Sequence, residues 1–351
     1  MIDISFSDVF VPSVACKNRR FGVCNGHFSY HPSWSRTRVP TDQVVRGQDL
    51  GWLFYNAAVS RDSFSIAGLE IPDQAFHEGD PVVTDPFVPF ANGLDAILGL
   101  APDSSVSAAG TAGVLTNMFE RRLLDRNIVS LLLGRIYTFE DGNEGLVAGE
   151  LLFGGINEEL MLPNTTMRFL SMSNKTDGPD VVRPLCNGTW QVPAGAVSVT
   201  WLNETSGENQ TKRVELGGSW TARLDTSHPF IIVPPPIDDL LSGMADPFRA
   251  PYTFPFIDCR DRGRLPDLVF TLGAGAEAAE FVLTSRDYTV ESRLFGSWRV
   301  CLWMIAGGYS VYRDMEVLGL GSAFTRSFYV ALDAEQGKVG LGTPWWRSFL
   351  R

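Results

Sequence analysis

DISFSDVFVPS, residues 3–13, and DTSHPFIIVPP, residues 225–235, read as two versions of one segment. Each opens on Asp-x-Ser, runs into aromatic and β-branched residues, and reaches Val-Pro at the same distance, so that Asp3 and Pro12 pair with Asp225 and Pro234. The same offset continues downstream. Leu98-Gly99, in AILGL, follows the first segment at the spacing at which Leu320-Gly321, in GLGSAF, follows the second. Val-Pro and apolar-Leu-Gly are each common in β proteins. Their recurrence in one order at one offset indicates two homologous halves, and a repeat of this kind governs the reading of everything between.

Around the repeat the chain reads as mostly β. DSFSIAGLEI, GLVAGELLFGGI, AVSVTWL, PDLVFTL and SFYVALD are short apolar runs bounded by Gly, Pro, Asn or Asp, the pattern of strands. Only TAGVLTNMFERRLLDRN (111–127) has helical spacing and length, with IDDLLSGM (237–244) a short second helix. The 351 residues, 44% hydrophobic and 20% charged, suffice for two domains with separate cores, placed here at 1–160 and 161–351.

Charge and composition exclude several classes. The net charge of −11 offers no basic face for nucleic acid. No apolar run approaches the ~18 residues that span a bilayer. MIDISFSDVF lacks the basic start and apolar core of a signal peptide. Yet five of the thirteen asparagines, Asn164, Asn174, Asn187, Asn203 and Asn209, stand in Asn-x-Ser/Thr sequons, which points to a glycosylated surface and a secretory route. The five cysteines carry no zinc-type spacing. Their simplest arithmetic is two local disulfides, Cys16–Cys24 and Cys259–Cys301, with Cys186 free or partnered outside this chain.

Two halves that each present one aspartate beside a Leu-Gly segment have a chemical use. Two carboxylates ~3 Å apart cannot both ionise easily and share a proton. One then serves as base toward a water and the other as acid toward a carbonyl oxygen. A serine–histidine–aspartate reading of Ser227, His228 and Asp225 fails, because adjacent residues on one loop do not converge as a triad requires. No metalloprotease motif occurs, and this chemistry needs neither metal nor cofactor.

These residues resemble the pepsin-like aspartic proteases over nearly the whole chain. DISFSDVFVPS and ARLDTSHPF stand where that family has its two Asp-Thr-Gly loops. CKNRRFGVC is similar to its small disulfide loop, and YHPSWSRT to the segment after it. AILGLAPD, ELLFGGIN, WQVPAGAVSV, LPDLVFTL and GSAFTRSFYVALDAEQGKVGLG resemble later strands in the family's order. The resemblance implies two pseudo-symmetric, β-barrel-like lobes around a cleft. It implies Asp3 and Asp225 as the catalytic pair, a peptide or protein substrate, a monomer, and a secreted or vacuolar location. The family has a strand-forming segment before the first aspartate where this chain has Met1 and Ile2, which implies a truncated N-terminus.

The departures concentrate on the active-site loops. Ile4 replaces the threonine that interlocks the two loops in the family, while Thr226 keeps it. Ser5 and Ser227 replace the glycines, and a Cβ there is expected to strain a tight loop. Phe6 and His228 stand where the family has a hydroxyl that donates to the carboxylate. Losing those donors is expected to raise the carboxyl pKa values, opposed by a protonated His228. Counting back from Asp62 places Leu50-Gly51 at the family's flap Tyr-Gly, with Tyr55 nearby. Two functions follow: an acid endopeptidase, with activity impaired by these losses, or an inactive relative that binds a peptide or protein.

Overall fold

The computed structural model describes residues 1–14, 28–49, 53–83, 95–102, 111–138, 144–173, 189–202, 207–249, 254–294, 298–307 and 316–349. Cys16, Cys24, Cys186, Leu50, Gly51, Asn174, Asn187 and Asn203 lie outside the described residues. The chain is mostly β and forms two compact units, Met1–Asn127 with Thr176–Thr189 and Ile128–Lys175 with Trp190–Arg351.

The first unit is built on one six-stranded sheet. In order across it run Ile2–Asp3, Ile97–Gly99, Val9–Pro12, Leu69–Val83, Leu53–Ile66 and Val39–Asp49. The long hairpin Leu53–Ile66/Leu69–Val83 turns at Ala67-Gly68, both at positive φ (51° and 82°), the condition for a two-residue loop that matches the strand twist. Along the first strand Tyr55, Ala57 and Val59 are buried in alternation, whereas in the second Ile71 and the whole run Gln74, Ala75, Phe76, His77 and Glu78 are buried, on both faces.

Among the described residues, four sheets belong to the second unit, the smallest pairing Arg135–Thr138 with Glu144–Val147. An antiparallel sheet orders Glu150–Phe153, Ile128–Leu132, Tyr329–Asp333, Lys338–Gly342 and Arg168–Ser171. A larger sheet orders Ala279–Leu283, Asp267–Leu272, Gln191–Leu202, Thr221–Leu224, Val317–Leu320, Ile231–Val233 and Ile305–Gly307, with Asn209–Glu215 also paired to Gln191–Leu202. The third joins Phe256–Ile257, Trp298–Trp303 and Thr289–Leu294. Cys259 and Cys301 form a disulfide beside it, with Cα atoms 5.0 Å apart. Trp190, Phe270, Trp303 and Phe324 are among the largest side chains of this unit's core. No sheet closes on itself among the described residues.

Helices are few and short. The segment 111–127 forms a helix only over Val114–Glu120, because Arg122 enters the left-handed region (φ 58°) and ends it. Val114, Leu115 and Met118 are its buried stripe. IDDLLSGM lies within Pro235–Ala245, begun by prolines that need no intrahelical N–H partner and stopped by Asp246 at φ 41°.

Candidate active site

Each half of the repeat builds the same local structure. The strand Ile2–Asp3 pairs in parallel with Ile97–Gly99, with Asp3 opposite Gly99. Thr221–Leu224 pairs in parallel with Val317–Leu320, and the Asp225 N–H donates to the Leu320 carbonyl. The chain then loops back over the Leu-Gly segment. Gly99 N–H donates to the Asp8 carbonyl and Gly321 N–H to the Phe230 carbonyl, one offset apart. The glycines are dictated by this contact. A Cβ on Gly99 would stand 2.3 Å from the Asp8 oxygen, and one on Gly321 would stand 2.2 Å from the Phe230 oxygen.

Both aspartates are buried, Asp3 at 0% and Asp225 at 2% exposure. In each, Oδ1 accepts two hydrogen bonds from the serine two residues on. Ser5 donates its N–H at 2.8 Å and its hydroxyl at 2.7 Å to Asp3. Ser227 donates its N–H at 2.8 Å and its hydroxyl at 2.5 Å to Asp225. Neither serine has positive φ, so the Cβ that replaces the family's glycine is accommodated without left-handed strain. The expectation of strain, and of donors lost, is corrected here: a hydroxyl has moved from the position of Phe6 and His228 to that of Ser5 and Ser227. Because the Ser227 hydroxyl donates to Asp225, it is not arranged as a nucleophile toward His228.

The second oxygen of Asp225 faces a guanidinium and an imidazole. Arg223 Nη2 stands 3.3 Å from Oδ2 and His228 Nε2 3.7 Å from it. Burial alone would push the Asp225 carboxyl up, but His228, Arg223 and the two Ser227 donors outweigh it and hold the group at about 2. This reverses the upward shift expected from the sequence. His228 is pushed down, chiefly by desolvation and further by Arg223, against the pull of Asp225. Arg223 escaped the sequence reading. Its signal was a charged residue in an otherwise apolar strand, two residues before Asp225 and so on the same face.

The remaining loop residues fall into place singly. Ile4 is fully buried and Thr226 half-buried. Phe6 packs edge-on against Tyr55 and His77, with centroids 6.5 and 6.3 Å apart. Tyr55 lies 4.4 Å from the Phe10 ring, and its hydroxyl meets His77 Nδ1 at 2.9 Å. His77 Nε2 faces Asp8 Oδ2 at 3.8 Å, beyond hydrogen-bond reach. Burial pushes the His77 imidazole down to about 4. The hairpin Leu53–Ile66/Leu69–Val83 and the residue leading into the remote strand Val9–Pro12 bring this Asp8–His77–Tyr55 group together, and the sequence reading missed it.

A duplicated β fold with one serine-bound, buried aspartate in each copy defines the class of this molecule. Residues 1–344 match the family described as eukaryotic aspartyl protease, and the chain belongs to that family. It is 27% identical over 348 residues to a probable vacuolar protease A of Arthroderma benhamiae, covering 97% of this chain and 74% of the relative. It is 27% identical over 364 residues to pepsin A of Gallus gallus, with 97% and 79% covered. A pregnancy-associated glycoprotein of Equus caballus is 23% identical over 352 residues, with 98% and 76% covered.

Proposed function

We propose that this chain is an acid endopeptidase in which Asp3 and Asp225 act on one water. The observation that carries the reading is the repeated device itself: an aspartate at the end of a buried strand, next to Leu-Gly, with Oδ1 held by a serine N–H and hydroxyl in both copies. Such a device keeps a carboxylate fixed in direction through one of its oxygens. The charged carboxylate takes a proton from the water as its oxygen attacks the scissile carbonyl carbon. The protonated carboxyl gives its proton to the carbonyl oxygen. No metal or cofactor enters this scheme. The substrate class is an unfolded or extended peptide, and the chain works as a monomer.

A second reading, an inactive relative that retains peptide binding, has one observation in its favour: Arg223 and His228 face Oδ2 of Asp225. A cleavage assay on unfolded protein between pH 2 and 7, with and without a pepstatin-type transition-state mimic, separates the two. The first reading expects mimic-sensitive cleavage at acid pH that Asp225→Asn abolishes. Cleavage undiminished in Asp225→Asn would exclude the dyad. Mimic binding without any cleavage would establish the second reading.

We place the protein in the secretory pathway or a vacuole-like compartment. The Cys259–Cys301 disulfide and the exposed sequon asparagines Asn164 and Asn209 support that placement. No helix of the described residues is long and apolar enough to cross a membrane.

A further inference from the structure

Arg223 is a buried charge that the repeat does not require. All four residues of Thr221–Leu224 are buried, and Arg223 itself is 3% exposed. A guanidinium taken from water is costly unless an anion faces it. The anion here is Asp225, whose Oδ2 stands 3.3 Å from Arg223 Nη2 while Oδ1 is occupied by Ser227. The neighbouring strands place Gln191 and Gly319 opposite Arg223 and Leu320 opposite Leu224, none of which titrates. Among the described residues, the cationic groups facing the Asp225 carboxylate are Arg223 and, when protonated, His228; on the protease reading Asp3 is the acidic group it shares a water with. One offset earlier, the position equivalent to Arg223 is Met1, which has no charged side chain, although its α-ammonium interacts electrostatically with Asp3. The two halves are alike in their serine contacts and unlike at this point.

We propose that Arg223 is a positioning residue that clamps Oδ2 of Asp225 and holds that carboxylate in its charged form, so that Asp225 takes the base role and the acid role falls to Asp3. The role assignment rests on the protease reading; the clamp does not. In the attacking step the water's O–H bond breaks toward Asp225 and its oxygen bonds the carbonyl carbon. The carbonyl π pair takes the Asp3 proton, leaving a neutral gem-diol, with no oxidant or reductant involved. A clamped carboxylate is a weaker base, since basicity falls with pKa. It remains ionised further into acid, so the clamp trades rate for an extended acid range.

The test is carboxyl-carbon NMR on protein labelled at aspartate Cγ, with Asp225 assigned by its loss in Asp225→Asn. Wild type, Arg223→Met and Arg223→Lys are titrated under conditions where circular dichroism shows them folded. Arg223→Met should move the Asp225 midpoint up by about one pH unit or more, the size expected for losing an adjacent guanidinium, and Arg223→Lys should recover part of it. An unmoved midpoint in folded Arg223→Met overturns the clamp. If Arg223→Met does not fold, the double change with Asp225→Asn is made. Recovered folding supports mutual dependence, and continued failure overturns it. The acid limb of kcat/KM, measured on the same proteins, should follow the NMR midpoint. Absence of cleavage in all of them with the NMR shift intact would remove the protease reading and leave the clamp standing. An NMR shift with an unmoved acid limb would overturn the role assignment.

Discussion

The hydroxyls of Ser5 and Ser227 reach their aspartates at 2.7 and 2.5 Å, one residue before the position where the family carries its hydroxyl. Hydrogen bonds to an ionised acceptor contribute about 1.5–3 kcal/mol. Ser227→Gly alone should therefore destabilise the fold by about that amount at pH 5 and weaken cleavage, even though it restores the family's residue. Ser227→Gly with His228→Thr should recover both by returning the hydroxyl to its usual place. The sign follows from the depressed Asp225 carboxyl. Its contribution is present above the unfolded value of 3.8 and is lost as pH falls through about 2. The stability deficit of Ser227→Gly should thus be full at pH 5 and fade toward pH 2. Urea unfolding at the two pH values checks this, and a deficit that persists unchanged in acid would assign Ser227 a packing role instead.

At the level of elements, the Leu-Gly strands hold the aspartate loops by backbone contact. Gly99 meets the carbonyls of Asp8 and Phe6, and Gly321 those of Phe230 and His228, at distances that admit no side chain. Gly99→Ala and Gly321→Ala should each cost on the order of 3 kcal/mol or more, since the obstructing atoms are backbone and cannot rotate away. They should also move the loop that presents the aspartate. The expected result is a lowered urea midpoint together with loss of cleavage. Gly243→Ala is the control, because nothing lies within 4 Å of a Cβ there. Equal effects at Gly243 and Gly321 would contradict the account.

Across the whole molecule, the two units should respond to acid through different groups. In the first, His77 is fully buried and kept neutral down to about 4, whereas the unfolded chain takes up a proton near 6.5. The unfolded state then binds more protons, so stability is full above 6.5 and falls as pH drops toward 4, by on the order of 3 kcal/mol. In the second unit His228 acts in the same direction. Below 3.8 the depressed carboxyls of Asp225 and of Asp287, buried but outweighed by Arg347 and Arg135, withdraw further stability. His77→Gln should flatten the slope between pH 6.5 and 4 for slowly exchanging amides of Val59 and Phe76 while leaving those of Val199 and Phe270 on their original slope. Hydrogen exchange against pH reads the two units separately. An unchanged slope at Val59 would show that His77 is not the titrating group.

The duplication, the mostly-β class, the placing of Asp3 and Asp225 beside Leu-Gly and the family were all legible along the chain. They rest on spacing and on period-two alternation, which are properties of consecutive residues. The same local rules placed a helix over 111–127 but not its end, because the left-handed turn at Arg122 is set by how the segment packs. Three features of the site could not be read this way. The transfer of the donor role to Ser5 and Ser227 depends on side-chain rotamers that a residue type leaves open. The pairing of Arg223 with Asp225 depends on a strand buried on both sides, where no solvent competes for the guanidinium. The Asp8–His77–Tyr55 group depends on strand order, since Val9–Pro12 pairs with Leu69–Val83 and that strand with Leu53–Ile66. Which side chains meet across a sheet is decided by register between segments far apart in the chain, and the tertiary fold alone supplies that register.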